Sequence, residues 1–273
     1  MSDIKSMQLY NHVERINNEL AELGIDENAA LTVDVLSALD QLHYHGTEAL
    51  DSALQMTSAV PGQRWLEIGS GLGGPARYLA DKGGIAMTAL ELQPDQHALA
   101  LHLSERCGLA DRIDHRCGDF LEAEFADESF DAVVSWLALY HIPERPRLLK
   151  KCHALLRPGG YFYTEDLCSL GEIGAEQRGD LSSELYATCL PKKQTYREQL
   201  EKAGFVIESF EDVSEDWAAF TRQRLKQYRA DRERHVRVHG ESTVEALDQF
   251  YCAVDFHFHS RKLGGLRICA RKP

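Results

Sequence analysis

The chain has 273 residues, with 43 acidic against 30 basic side chains and a formal net charge of −13. That length suits one large α/β domain or a domain with a cap, and the charge disfavours nucleic acid, whose phosphates are met through a positive footprint. The chain has no run of 18 apolar residues and no leader-like stretch after Met1, and its seven cysteines form no Cys-x-x-Cys pair. A cytoplasmic protein with reduced thiols, no membrane partner and no disulfide framework is expected.

Residues 1–60 predict helix throughout, with Leu9, Val13, Ile16, Leu20 and Leu23 at three- and four-residue spacing. Short β-rich runs then alternate with helical patterns. Strands are predicted at Arg64–Gly69, Ala86–Leu92, Ile113–Asp119, Phe130–Trp136 and Tyr161–Asp166, with helices near Pro75–Lys82, Pro94–Cys107 and Pro143–Leu156. Alternation of that kind predicts a mostly parallel sheet covered on both faces. Phe205–Val213 and Leu266–Lys272 complete seven strands. The stretch Glu215–Arg261 predicts two helices broken at His239-Gly240, with Val244, Leu247, Tyr251, Val254 and Phe258 on the buried face of the second. The organisation is thus a helical cap over 1–60 and an α/β core over 61–273. A helical insertion near 215–261 joins the cap as a lid.

The strongest motif is Trp65-Leu66-Glu67-Ile68-Gly69-Ser70-Gly71-Leu72-Gly73-Gly74, where Gly69, Gly71 and Gly74 satisfy Gly-x-Gly-x-x-Gly between a strand and a helix. Glu67 changes its meaning. A pyrophosphate avoids a carboxylate two residues before the first glycine, whereas a ligand with an ammonium end welcomes one. The second strand ends in Leu90-Glu91-Leu92, where Glu91 can accept from two ribose hydroxyls, and the third ends in Gly118-Asp119-Phe120. Acids at three successive strand ends lie along the carboxyl edge, where open α/β sheets bind ligands.

This constellation resembles the class I S-adenosylmethionine-dependent methyltransferases over roughly residues 60–272. The resemblance implies a Rossmann-like sheet and S-adenosylmethionine as cofactor. It places the methionine part at Glu67, Gly69, Ser70, Gly71 and Gly74, the ribose at Glu91 and Leu92, and the adenine at Asp119 and Phe120. Phe130-Asp131-Ala132-Val133-Val134-Ser135 matches the family's fourth strand, adding Ser135 to the cofactor contacts.

Methyl transfer to a heteroatom is an in-line displacement in which the protein supplies alignment, desolvation and a place for the proton. His141, just after the fourth strand, is the candidate proton acceptor. Within the class the chain resembles the sarcosine/dimethylglycine and phosphoethanolamine N-methyltransferases. Asp40-Gln41-Leu42-His43 looks like their segment that closes over the cofactor, which adds Leu42 and His43 to the contacts. Leu137, Leu167 and Tyr186 stand where the phosphoethanolamine pattern has an acid, a tyrosine and an arginine, and that substrate is disfavoured. Tyr44, Trp136, Tyr140 and Asp166, with Tyr163 a further ring, are candidate walls of an acceptor pocket suited to a methylated ammonium. The pairs His43-Tyr44-His45 and His257-Phe258-His259 lack a convincing third ligand, so no metal is expected.

The expected activity is methyl transfer to an amine nitrogen of a small molecule by a monomer or homodimer. The alternatives are a C- or O-methyltransferase of an apolar metabolite and a non-catalytic cofactor-binding module.

Overall fold

The computed structural model describes residues 13–273, so Leu9 lies outside the described residues. Its seven-stranded sheet has the order β3-β2-β1-β4-β5-β7-β6. The strands are β1 (Arg64–Ile68), β2 (Ala86–Glu91), β3 (Ile113–Cys117), β4 (Phe130–Trp136), β5 (Leu156–Ser169), β6 (Val206–Asp212) and β7 (Leu263–Arg271). Trp65, Leu66, Val133, Val134 and Phe162 are fully buried on central strands, as expected of a parallel sheet covered on both faces. β7 alone runs antiparallel, to both β5 and β6. Strand order reverses between β1 and β4, and a crevice at that point is where such sheets bind ligands.

Helices α4 (Gly74–Lys82), α5 (Pro94–Arg106) and α6 (Arg145–Leu155) form the crossovers. Each has a proline in its first turn, where the missing N–H costs nothing. Two buried clusters pack on opposite sides of the sheet, one around Leu66, Leu148 and Leu200, the other around Trp65, Leu79 and Met87.

Several expectations change. The cap is three helices with irregular chain between them: α1 (Glu14–Glu22), α2 (Val33–Ser37) and α3 (Thr47–Met56). Gly24 turns left-handed after α1, and His45 and Gly46 do so before α3. β5 extends beyond Tyr161–Asp166 at both ends, and β7 pairs with it from Tyr161 to Ser169. Between β5 and β6 lie α7 (Ala175–Glu184) and α8 (Lys193–Lys202), two helices the sequence reading did not single out. The insertion has three helices, α9 (Ser214–Ala230), α10 (Arg232–His239) and α11 (Glu241–His259). The break at Gly240 is present, with φ of +83°, and a second falls at Asp231.

The insertion seats on the sheet through Trp217 of α9, which is fully buried. Gly265 of β7 makes room for it, since a Cβ there would stand 2.2 Å from the indole Cε3. Gly265→Ala should therefore cost about 1–3 kcal/mol, the range for an overpacked core. Urea denaturation checks this; an unchanged midpoint would mean that the insertion is free to shift.

Candidate functional site

A cavity of about 530 Å³ opens at the carboxyl ends of β1, β2 and β4, under the cap and the insertion. Its floor is the turn from β1 to α4, where Gly69, Gly71 and Gly73 all have positive φ. The turn needs glycine at Gly69 on two counts, because a Cβ there would also stand 2.4 Å from the Cβ of Ala138. The bare turn leaves backbone amides at the cavity floor. Gly71 N–H donates to Glu91 Oε2 at 2.7 Å, and Gln93 N–H donates to Oε1 at 2.8 Å.

Glu67 and Glu91 are both buried against this floor. Burial, then the neighbouring Glu91 carboxylate, pushes Glu67 well above the usual carboxylate range. Burial also raises Glu91, against the pull of its amide donors. Glu67 Oε2 and the Ser70 hydroxyl are buried without a hydrogen-bond partner. Two acids and an orphaned acceptor in one low-dielectric corner are the donor-poor chemistry that could receive a cation with N–H donors.

The floor is held from behind by Arg77, which has no solvent exposure. It donates to Asp40 Oδ2 (2.8 Å), the Leu72 carbonyl (2.6 Å), the Ala100 carbonyl (3.2 Å) and Ser104 Oγ (3.2 Å). The cap segment 40–46 is thereby tied to the glycine turn. There His43 Nε2 lies 2.9 Å from the Gly46 carbonyl, and burial lowers its pKa to about 4.

His141 ends a short 3-10 turn (Leu139–His141) after β4 and lines the same cavity. Its Nδ1 lies 2.9 Å from the Tyr186 carbonyl. A carbonyl only accepts, so Nδ1 carries the proton and Nε2 keeps a lone pair. That Nε2 is buried with no partner, and burial lowers the pKa to about 4. The imidazole is therefore neutral at ordinary pH.

Of the residues singled out in the sequence, Leu42, His43, Tyr44, Glu67, Gly69, Ser70, Gly71, Glu91, Leu92, Asp119, Phe120, Trp136, Tyr140 and His141 line this one cavity. Gly74, Ser135 and Asp166 do not, and each has a packing reason. A Cβ on Gly74 would meet the Asp40 carbonyl at 2.7 Å. The Ser135 hydroxyl donates to the Ile68 carbonyl at 2.8 Å, stitching β4 to β1. Asp166 is consumed behind the wall by Arg145 Nη1 (3.3 Å), the Tyr196 hydroxyl (3.0 Å) and the Tyr140 amide (3.1 Å), which hold the His141 turn in place. Tyr163 likewise turns to Glu165.

The His-x-His pairs diverge. His45 reaches Asp216, His257 reaches Glu184 and His259 reaches Asp255. Glu19, His235 and His239 come together between α1 and α10, but Glu19 already binds Arg234 through both oxygens and His239 at 2.7 Å. That group is an ion network clasping the cap to the insertion.

The sequence reading missed the far chamber of the cavity. Leu185, Arg224 and Phe250 line it, together with Leu247, Tyr251 and Val254 of α11. The apolar periodicity of α11 was legible, but periodicity does not distinguish a face on a core from a face on a cavity.

Residues 66–164 match the family described as methyltransferase domain. A sterol 24-C-methyltransferase of Yarrowia lipolytica is 30% identical over 167 residues, which cover 57% of this chain and 42% of that protein. The chain thus spans less than half the length of that relative. A 27-O-demethylrifamycin SV methyltransferase of Amycolatopsis mediterranei is 27% identical over 234 residues, covering 83% of this chain and 84% of that one. The structure of Haemonchus contortus phosphoethanolamine N-methyltransferase 2 in complex with S-adenosyl-L-methionine aligns with a TM-score of 0.78 and 19% identity, over 98% of this chain and 60% of that one. At that identity the likeness shows the fold. The family match thus makes residues 66–164 a methyltransferase domain, and S-adenosylmethionine is the cofactor of that family. No described helix is long and apolar enough to cross a membrane.

Arg77→Met should cost about 3–5 kcal/mol by leaving Asp40 buried without its cation. A loss under about 1 kcal/mol in chemical denaturation would show that the cap is not held through this pair.

Proposed function

We propose that this chain transfers the methyl group of S-adenosylmethionine to a hydroxyl oxygen of a small molecule with an apolar body, with His141 as the proton acceptor. The observation that carries this reading is the buried, unpartnered Nε2 of His141 in the lining of the same cavity as the glycine turn. When bound, the cofactor supplies a methyl group made electrophilic by its sulfonium. Everything else falls to the chain's own side chains. Glu67 receives the ammonium end of the cofactor through its orphaned oxygen. Both Glu91 oxygens already take an amide, and each keeps a second lone pair for a ribose hydroxyl. Asp119 and Phe120 border the adenine side, and Leu42 and His43 close the top.

The basicity of His141 favours oxygen. A hydroxyl under methylation becomes a strongly acidic oxonium and yields its proton even to an imidazole whose pKa burial has lowered to about 4. An ammonium product holds its proton far more tightly than such a base can take it. The lining favours an apolar body, since Leu137, Leu185, Leu247, Phe250 and Val254 all face the chamber. The methylated ammonium expected from sequence fits less well, because the Tyr44 ring is already covered by the Arg224 guanidinium at 5.0 Å. A neutral amine on the same apolar body is the second reading, supported by the rings of Trp136 and Tyr140 at the wall.

With 13C-methyl cofactor and a panel of apolar alcohols and amines, the methyl carbon's chemical shift reports whether oxygen, nitrogen or carbon was methylated. Products on carbon alone would end this reading.

Glu91→Ala should weaken S-adenosylhomocysteine by about 2–4 kcal/mol, the scale of losing charged hydrogen bonds inside a site. An unchanged dissociation constant by calorimetry would place the ribose elsewhere.

His141→Ala should lower turnover about 100-fold or more while leaving cofactor affinity nearly unchanged. Because burial depresses the imidazole pKa, the base form persists as pH falls, and the wild-type rate should decline only towards about pH 4. Full activity in His141→Asn with the same acid limb would remove the residue from the chemistry.

A further inference from the structure

We infer that Arg224 is the receptor for an anionic oxygen group on the acceptor, so that the substrate is an apolar molecule bearing a carboxylate away from the atom that is methylated. This rests on the methyl-transfer reading of the same cavity and goes further by naming a second functional group.

Arg224 projects from α9 into the cavity lining. Its guanidinium is framed by three aromatic rings, Tyr251 at 4.7 Å, Tyr44 at 5.0 Å and Phe220 at 5.6 Å from the guanidinium carbon. It also hydrogen-bonds the Tyr44 hydroxyl. Its Nε is fully buried and has no acceptor. Among the described residues no carboxylate lies within ion-pair distance of it, in a chain whose acids outnumber its bases by 43 to 30.

The contrast along the same helix is direct. Arg222 reaches Asp255 of α11 at 3.5 Å, and Arg229 reaches Asp248 of α11 at 2.6 Å. These two arginines are answered by acids across the α9–α11 seam. The one that lines the cavity is answered by rings and the Tyr44 hydroxyl, with no acid, and its buried Nε has no acceptor.

Ring faces attract a cation but leave the Nε–H of Arg224 nothing to donate to. A buried donor without an acceptor costs about 1–3 kcal/mol, and an arriving anion recovers that cost. A guanidinium held among rings has less rotamer entropy left to lose, and a planar carboxylate matches its donor fork with two parallel hydrogen bonds. The same cation repels ammonium groups, which selects against amino-terminated acceptors at this end.

The test uses the full chain saturated with S-adenosylhomocysteine and titrated calorimetrically with two matched pairs, 4-phenylbutyrate against 4-phenylbutan-1-ol and octanoate against octan-1-ol. The acids should bind at least about tenfold more tightly than the alcohols, as a charged hydrogen-bonded pair predicts. Arg224→Gln should erase that preference, and Arg224→Lys should keep part of it. S-adenosylhomocysteine affinity should be the same in all three proteins. Equal binding of acid and alcohol, binding of neither, or a preference that Arg224→Gln leaves intact would overturn the assignment. If S-adenosylhomocysteine itself failed to bind the wild-type chain, the methyl-transfer reading would fall instead, so the two failures are told apart.

Discussion

The guanidinium of Arg77 sits behind the glycine turn with no access to water, and a charge in that position needs acceptors around it. Its four acceptors come from three parts of the chain: Asp40 of the cap, the Leu72 carbonyl of the turn, and Ala100 and Ser104 of α5. Ser104 in turn lies 2.9 Å from His115 on β3. One cation thus sets the spacing of cap, turn and outer strand. The width of the cavity above the turn follows from that spacing, because Leu42 and His43 descend from the cap directly after Asp40.

The cavity this produces is electrically asymmetric. Glu67 and Glu91 crowd two acids into the floor, and burial pushes Glu67 well above the usual carboxylate range and Glu91 upward. The far chamber holds a cation on aromatic rings. In a low-dielectric enclosure such a gradient orients bound molecules before any contact is complete. On the reading proposed above, a cofactor with a positive end and an acceptor with a negative one would be drawn in opposite directions along this cavity, whose lining includes His141.

Much of this was readable before any coordinates. The glycine turn, Glu67, Glu91 and Asp119-Phe120 follow from local rules, since each sits at a strand end whose side chain has only one crevice to face. Where reading failed, the deciding partner was distant in sequence. Asp166 looks like a pocket residue until Arg145 and Tyr196 are brought to it across 21 and 30 positions. Ser135 looks like a cofactor contact until the Ile68 carbonyl, 67 residues away, takes its hydroxyl. Arg224 gave no signal at all, because an arginine on an amphipathic helix is ordinarily a solvated one. What distinguishes it is the absence of an acid in space, a property no spacing encodes. The cap was overextended for a similar reason: periodicity marked its apolar positions, but Gly24, His45 and Gly46 take left-handed conformations that divide it.

The insertion that supplies α9, α10 and α11 leaves the sheet at the end of β6 and returns at the start of β7. These two strands are antiparallel neighbours at the sheet's edge, with Asp212 paired to Leu266 beside the exit and entry points. The 214–259 segment therefore hangs from two adjacent chain ends, and its length does not enter the order or register of the other strands. The cavity floor is built from β1, β2 and the turn into α4, upstream of this hinge. The insertion is in effect a cassette plugged into a fixed socket: the cavity walls it supplies can change in length and lining while the glycine turn beneath them stays as it is.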